Sequence, residues 1–163
     1  MQYSELIERL KRLDEDAALL SENYENLKLV IVGGSALILM NYITRATHDI
    51  DVVYCSPELR ELMEKYNIND RVQAYINNFP YNFEDRFVRM NIETKVIEYY
   101  TASLEDIVIA KLCSHRRTDR EDILQPFVID NVNWDKLEKL SEELKMSILN
   151  DSNYADFVYR YTE

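Results

Sequence analysis

The sequence predicts an α+β domain: a small mixed β-sheet flanked by helices, with a helical C-terminal third. Three observations predict it. An apolar, β-branched run, Leu27–Val32, leads through Gly33-Gly34 into an apolar helical stretch and then a short strand, Asp49-Ile50-Asp51-Val52-Val53. Two more extended stretches lie near Arg86–Met90 and Lys95–Tyr100. From Ser103 onward the pattern is helical, with cap residues ahead of each apolar run.

In chain order, Leu6, Ile7, Leu10, Leu13, Ala17 and Leu20 fall on one stripe of an amphipathic helix over residues 4–21, capped by Ser4. The strand, glycine turn, helix (Ala36–Ile43, opened by Ser35) and second strand occupy 27–54. Ser56-Pro57 reads as an N-cap with proline in the first turn of a helix to about Tyr66. Asn69 or Asp70 caps a helix through Ile76, and Pro80 ends that region. The two later extended stretches pair across Asn91–Thr94. Ser103 with Asp106 resembles a capping box for a helix to about Ser114, and Thr118 with Glu121 repeats the device. A helix from Asn133 to about Leu149 and a last one over Tyr154–Tyr161 complete the chain. With no internal repeat and no Gly/Pro/Ser-rich linker, one domain over 1–163 is expected, its core at about 27–124 and a helical extension at about 133–163.

At 163 residues such a domain buries roughly 70% of its unfolded surface. No run approaches eighteen apolar residues, which excludes a transmembrane helix and predicts no membrane partner. The N-terminus lacks the basic and apolar segments of a signal peptide, and Cys55 and Cys113 follow no metal or redox spacing; a cytoplasmic protein with reduced thiols is expected. A net charge of −11 argues against nonspecific coating of nucleic acid, which rests on neutralising many phosphates. The positive charge is uneven: Lys111, His115, Arg116, Arg117 and Arg120 cluster, as a solvated helix end or a docking face.

Only two glycines occur, and they are adjacent. Glycine lets backbone approach a ligand closely, and a following helix start offers unpaired N–H groups to phosphate oxygens, with the Ser35 hydroxyl beside them. The dipeptide alone describes equally a tight strand-to-helix turn with Ser35 as N-cap. It is neither a Walker loop nor a Rossmann fingerprint. Asp49 and Asp51, at i and i+2, share a strand face about 6–7 Å apart and repel by roughly 2–3 kcal/mol at an effective dielectric of about 20. A solvated edge tolerates that; a divalent cation removes it, and Mg²⁺ takes carboxylates together with substrate phosphates. Arg45 either closes the preceding helix or contacts these acids or phosphate. His48 points away from Asp49.

Val32-Gly33-Gly34-Ser35-Ala36-Leu37, followed by Arg45-x-Thr47-x-Asp49-Ile50-Asp51-Val52, resembles the DNA polymerase β-type nucleotidyltransferase superfamily, in particular its AbiEii-type toxin branch and related small bacterial nucleotidyltransferases. A second segment is similar too: Ser103–Leu112, with Lys111 on its helix, then Arg116-Arg117-Thr118-Asp119-Arg120-Glu121-Asp122-Ile123. The resemblance implies the nucleotidyltransferase fold and a Mg²⁺- (or Mn²⁺-) dependent transfer of a nucleoside monophosphate from an NTP to an RNA (tRNA included), protein or small-molecule acceptor, with a toxin–antitoxin or phage-defence setting. It implies that Gly33, Gly34, Ser35 and Arg45 bind the nucleotide, that Asp49 and Asp51 hold metal, and that Lys111 reaches the phosphates or the attacking group. Asp119 or Asp122 anchors that lysine or helps activate the acceptor. The superfamily's third metal carboxylate has Glu98 as its candidate here and Glu93 as second choice. The alternative, from another class, is a catalytically degenerate nucleotide- or protein-binding module of the same fold, and the third acid discriminates the two.

Overall fold

The computed structural model describes residues 1–20, 26–71, 78–114 and 116–143. Among them the chain forms α1 (Tyr3–Leu20), β1 (Leu27–Val32), α2 (Gly33–Leu39), β2 (Ile50–Cys55), α3 (Arg60–Lys65), β3 (Ile68–Asn69), β4 (Val88–Arg89), β5 (Ile97–Thr101), α4 (Leu104–Leu112), α5 (Arg117–Ile123), α6 (Pro126–Asn131) and α7 (Trp134–Glu143). The α+β class predicted above, a small mixed sheet with flanking helices, is the observed one. The sheet order is β3-β2-β1-β5-β4; β1 runs antiparallel to β2 and parallel to β5.

The most apolar strand lies at the centre. Leu27, Leu29 and Ile31 of β1 share the core face with Ile97, Tyr99 and Thr101 of β5, to which they are opposed in register. Helix α1 lies against this face through the stripe read from sequence: Leu6, Leu10, Leu13 and Ala17 are all fully buried. Two polar contacts fix the helix there. The Tyr99 hydroxyl donates to the Leu10 carbonyl at 2.6 Å, and the buried Asp14 carboxylate accepts from the backbone N–H groups of Lys95, Val96 and Ile97 at 2.8–2.9 Å. Asp14 therefore sets where β5 begins. On the other side of β5, Ser103 caps α4 through the Asp106 N–H, and the buried Asp106 carboxylate takes a bidentate pair from Arg86, both bonds 2.9 Å.

Several boundaries differ from the sequence expectation. Helix α2 starts at Gly33, not Ser35, and ends at Leu39. It closes at Asn41 (φ 62), with Tyr42 N–H bonded to the Leu37 carbonyl and Asn41 N–H to Ile38, a Schellman closure that satisfies the last carbonyls. The non-glycine residues with left-handed backbone are Asn26, Asn41, Asn67 and Asn82. Asparagine tolerates that region because its amide bonds locally, so this glycine-poor chain turns its corners with asparagine. Ser56 precedes a short 3₁₀ turn, Pro57–Leu59, yet its hydroxyl accepts from Lys28 N–H rather than capping. Ile68 and Asn69 join the sheet as β3 beside β2, where a helix cap was expected. The rest of that expected helix (72–76), His115, the end of the Asn133 helix and the Tyr154–Tyr161 helix lie outside the described residues. Helix α5 opens after Arg116, leaving Thr118 inside it, and α6, begun by Pro126, had no counterpart in the sequence reading.

Candidate active site

A cleft of about 1380 Å³ opens where β1 ends and β2 begins, walled on the far side by α4 and the start of α5. Antiparallel pairing brings its first two groups together. Val32 is opposed to Asp51, so the Gly33 turn that follows Val32 sits beside that carboxylate. A Cβ placed on Gly33 would lie 3.5 Å from Asp51 Oδ2, and Gly33 adopts φ +69, a backbone that side-chain-bearing residues rarely take. Gly33 is thus required by conformation. Ser35 is 1% exposed and donates its hydroxyl to the Val32 carbonyl at 3.1 Å; it braces the turn from inside.

Asp49 lies just before β2, exposed on the cleft wall, while Asp51 is half-buried within the strand. The Asn69 amide donates to Asp49 Oδ2 at 3.3 Å, and Asn69 is opposed to Asp51 in the β2–β3 ladder. Asn69 therefore stands beside both aspartates. It entered the sequence reading only as a helix cap, since nothing local in a two-residue strand announces a contact twenty positions away. Glu98 stands elsewhere. It is opposed to Lys28, four residues from Val32 along β1, on the strand flanking β1 opposite to β2. That is about 13 Å along the sheet and about 10 Å across it, beyond side-chain reach. Its carboxylate meets Arg89 at 3.6 Å and the Tyr100 hydroxyl at 3.2 Å. Glu93 is exposed in the loop before β5. Among the described residues no three His, Cys, Asp or Glu side chains converge to hold a metal.

The opposite wall is an ion-pair network. Lys111, 6% exposed on α4, donates to Asp119 at 2.7 Å and to Asp122 at 3.0 Å. Asp122, 2% exposed, also receives Arg45, whose Nε and Nη2 bond its two oxygens at 2.6 and 2.7 Å. One carboxylate on α5 thereby ties α4 to the loop that leads into Asp49. Burial acts to raise the Asp119 carboxyl, but the Lys111 charge and hydrogen bond and the Ser114 hydroxyl outweigh it and hold the group below the usual aspartate range. Asp122 likewise raises Arg45, against its partial burial. The basic run separates on folding: Lys111 is buried in ion pairs, Arg116 lines the cleft, and Arg117 turns outward to Glu121 at 2.8 Å. Cys113 and His48 also line the cleft, and burial pushes the Cys113 thiol up to about 11.

Residues 8–163 match the family model described as "Nucleotidyltransferase of unknown function (DUF6036)". The chain belongs to this nucleotidyltransferase family. No curated protein and no solved structure matches it. Membership implies an NTP as substrate and, as is typical of nucleotidyltransferases, a divalent metal. No helix among the described residues of this nucleotidyltransferase is long and apolar enough to cross a membrane.

Proposed function

We propose that the cleft is the active site of a Mg²⁺-dependent nucleotidyltransferase that moves a nucleoside monophosphate from an NTP to an acceptor. The observation that carries this reading is the juxtaposition of the Gly33 turn with the Asp51 carboxylate across the cleft mouth. A triphosphate laid along that turn meets backbone N–H groups on one side and the carboxylates on the other. The donor set of Asp49 and Asp51 fits one Mg²⁺ arriving with the triphosphate, because Mg²⁺ commonly uses one or two carboxylates and completes its shell with phosphate oxygens and water. Bound there, the ion supplies charge neutralisation for the phosphates.

The protein's own part is positioning. Asn69 orients Asp49, Ser35 braces the turn, and Lys111, gripped by Asp119 and Asp122, fixes α4 to α5 at the far wall. Arg116 lines the same wall and faces incoming phosphates. The acceptor oxygen attacks the α-phosphorus, the bond to the bridging oxygen breaks, and pyrophosphate leaves. RNA, including tRNA, a partner protein and a small molecule remain the acceptor classes, and a toxin–antitoxin setting of the AbiEii type rests on the motif resemblance.

The second reading, a nucleotide-binding module without transfer, is favoured by one observation: among the described residues no third carboxylate joins Asp49 and Asp51. Incubation with each labelled NTP and Mg²⁺, with total cellular RNA and protein as acceptors, separates the two. Transfer abolished by Asp49→Asn and by Asp51→Asn supports the enzyme. Transfer that survives both substitutions sinks the mechanism, and Mg²⁺-dependent binding without transfer establishes the module.

A further inference from the structure

The two adjacent glycines are not equivalent. Gly33 has a positive φ and Gly34 does not, so backbone freedom explains only the first. At Gly34 the constraint is space: a Cβ there would lie 2.2 Å from Arg45 Nη2, 3.1 Å from Cζ and 3.4 Å from Nη1. The Nη2 end of the guanidinium occupies the space beside the bare Cα. It is not at liberty to swing aside, because Nε and Nη2 are held by Asp122 and Nη1 by the Ala46 carbonyl at 3.1 Å. Asp122 is itself buried and shared with Lys111. A methyl group on residue 34 therefore displaces Arg45 and breaks the bidentate pair.

We propose that Gly34 is a seat for the Arg45 guanidinium, and that Arg45 is a positioning residue which fixes the loop entering Asp49 and Asp51 against α5. Gly33 serves the backbone turn; Gly34 serves the arginine. The functional half of this inference rests on reading the cleft as the Mg²⁺–NTP site, whereas the pairing of Gly34 with Arg45 stands without it. Arg45 lies four residues before Asp49, so the Asp122 clamp limits where the first aspartate is placed. Its Nε and Nη2 groups are engaged by the buried Asp122, and Nη1 by the exposed Ala46 carbonyl.

The test is a double-mutant cycle on the full chain with Gly34→Ala, Arg45→Ala and the two combined. Two quantities are read: the urea midpoint, and the Mg²⁺ concentration giving half-maximal binding of a non-hydrolysable NTP analogue. Each single variant is expected to lower the midpoint and to raise the Mg²⁺ requirement several-fold. The double variant is expected to match Arg45→Ala in both, since the added methyl then meets no guanidinium. Effects of Gly34→Ala that persist at full size in the Arg45→Ala background overturn the proposal, because the methyl would then be obstructing phosphate or backbone directly. An unchanged Mg²⁺ requirement in Arg45→Ala overturns the positioning role. If the unaltered chain binds no analogue, the nucleotide reading fails and the positioning role with it, while the midpoints still decide whether Gly34 seats Arg45.

Discussion

Asp122→Asn puts the largest single load on the site's framework. The carboxylate is 2% exposed and balances two cations, Arg45 through paired bonds of 2.6 and 2.7 Å and Lys111 through one of 3.0 Å. Asparagine keeps the shape but turns an NH₂ group toward donors and removes the charge. Removing one partner of a buried pair costs about 3–5 kcal/mol, chiefly because the remaining charge stays desolvated. Two features place the cost at the lower end. Arg45 is 35% exposed and can rehydrate through the cleft, and Lys111 keeps Asp119 at 2.7 Å. The expected loss is about 3 kcal/mol, or roughly 6–12 °C in Tm for a domain of this size. Urea denaturation at neutral pH with a shared m-value measures it. A cost below about 1 kcal/mol, the range of exposed ion pairs, would refute the reasoning that this carboxylate ties α4, α5 and the Arg45 loop together.

Asp14→Ala should cost about 3 kcal/mol or more in urea denaturation, because three backbone N–H groups at the start of β5 lose their acceptor together. Asp119 has a folded pKa below its unfolded value, so its contribution to stability is present above the ordinary aspartate pKa of about 3.9 and is lost as pH falls through the folded value. Denaturation followed from pH 5 downward should therefore lose stability less steeply in Asp119→Asn than in the unaltered chain, and equal slopes would deny Asp119 that role. With its thiol near 11, Cys113 should react with iodoacetamide at pH 7.5 roughly two orders of magnitude more slowly than an unperturbed cysteine, although it lines the cleft.

The segments with strong local chemistry were legible in sequence: the apolar stripe of α1, the β1 run, the Ser103 cap and the pairing of β4 with β5. Each depends on neighbours within about a dozen positions. What sequence left open depends on long-range register. β3 is two residues long and exists because Asn69 is opposed to Asp51. Glu98 has the right residue type on the right kind of strand, yet the parallel β1–β5 ladder sets it beside Lys28 at the wrong end. Arg45 was open between helix closure, metal acids and phosphate; its observed partner, Asp122, is seventy-seven positions away. The motif resemblance implies Asp119 or Asp122 as the anchor of Lys111; both carboxylates meet it, at 2.7 and 3.0 Å.

One irregularity in the central ladder decides which way the second aspartate points. Leu29 is opposed to Cys55 and Val30 to Tyr54, but Ile31 is opposed to Val52 and Val32 to Asp51, so β2 carries one extra residue, Val53, at a bulge. Burial along β2 changes phase there: Ile50 and Val52 are buried, Tyr54 is exposed, and Cys55 is buried again. With unbroken alternation inward from Cys55, Val53 and Asp51 would face the core, and Ile50 and Val52 would face away from it. A carboxylate on the core face would be desolvated among Leu29, Ile31 and Tyr99, at a cost of several kcal/mol. The bulge reverses the assignment, giving Ile50 and Val52 to the core and Asp51 to the cleft. The same slip of one residue that spares the core a charge is what sets Asp51 against Gly33, so the strand that stabilises the sheet and the strand that builds the site are one solution to a single packing constraint.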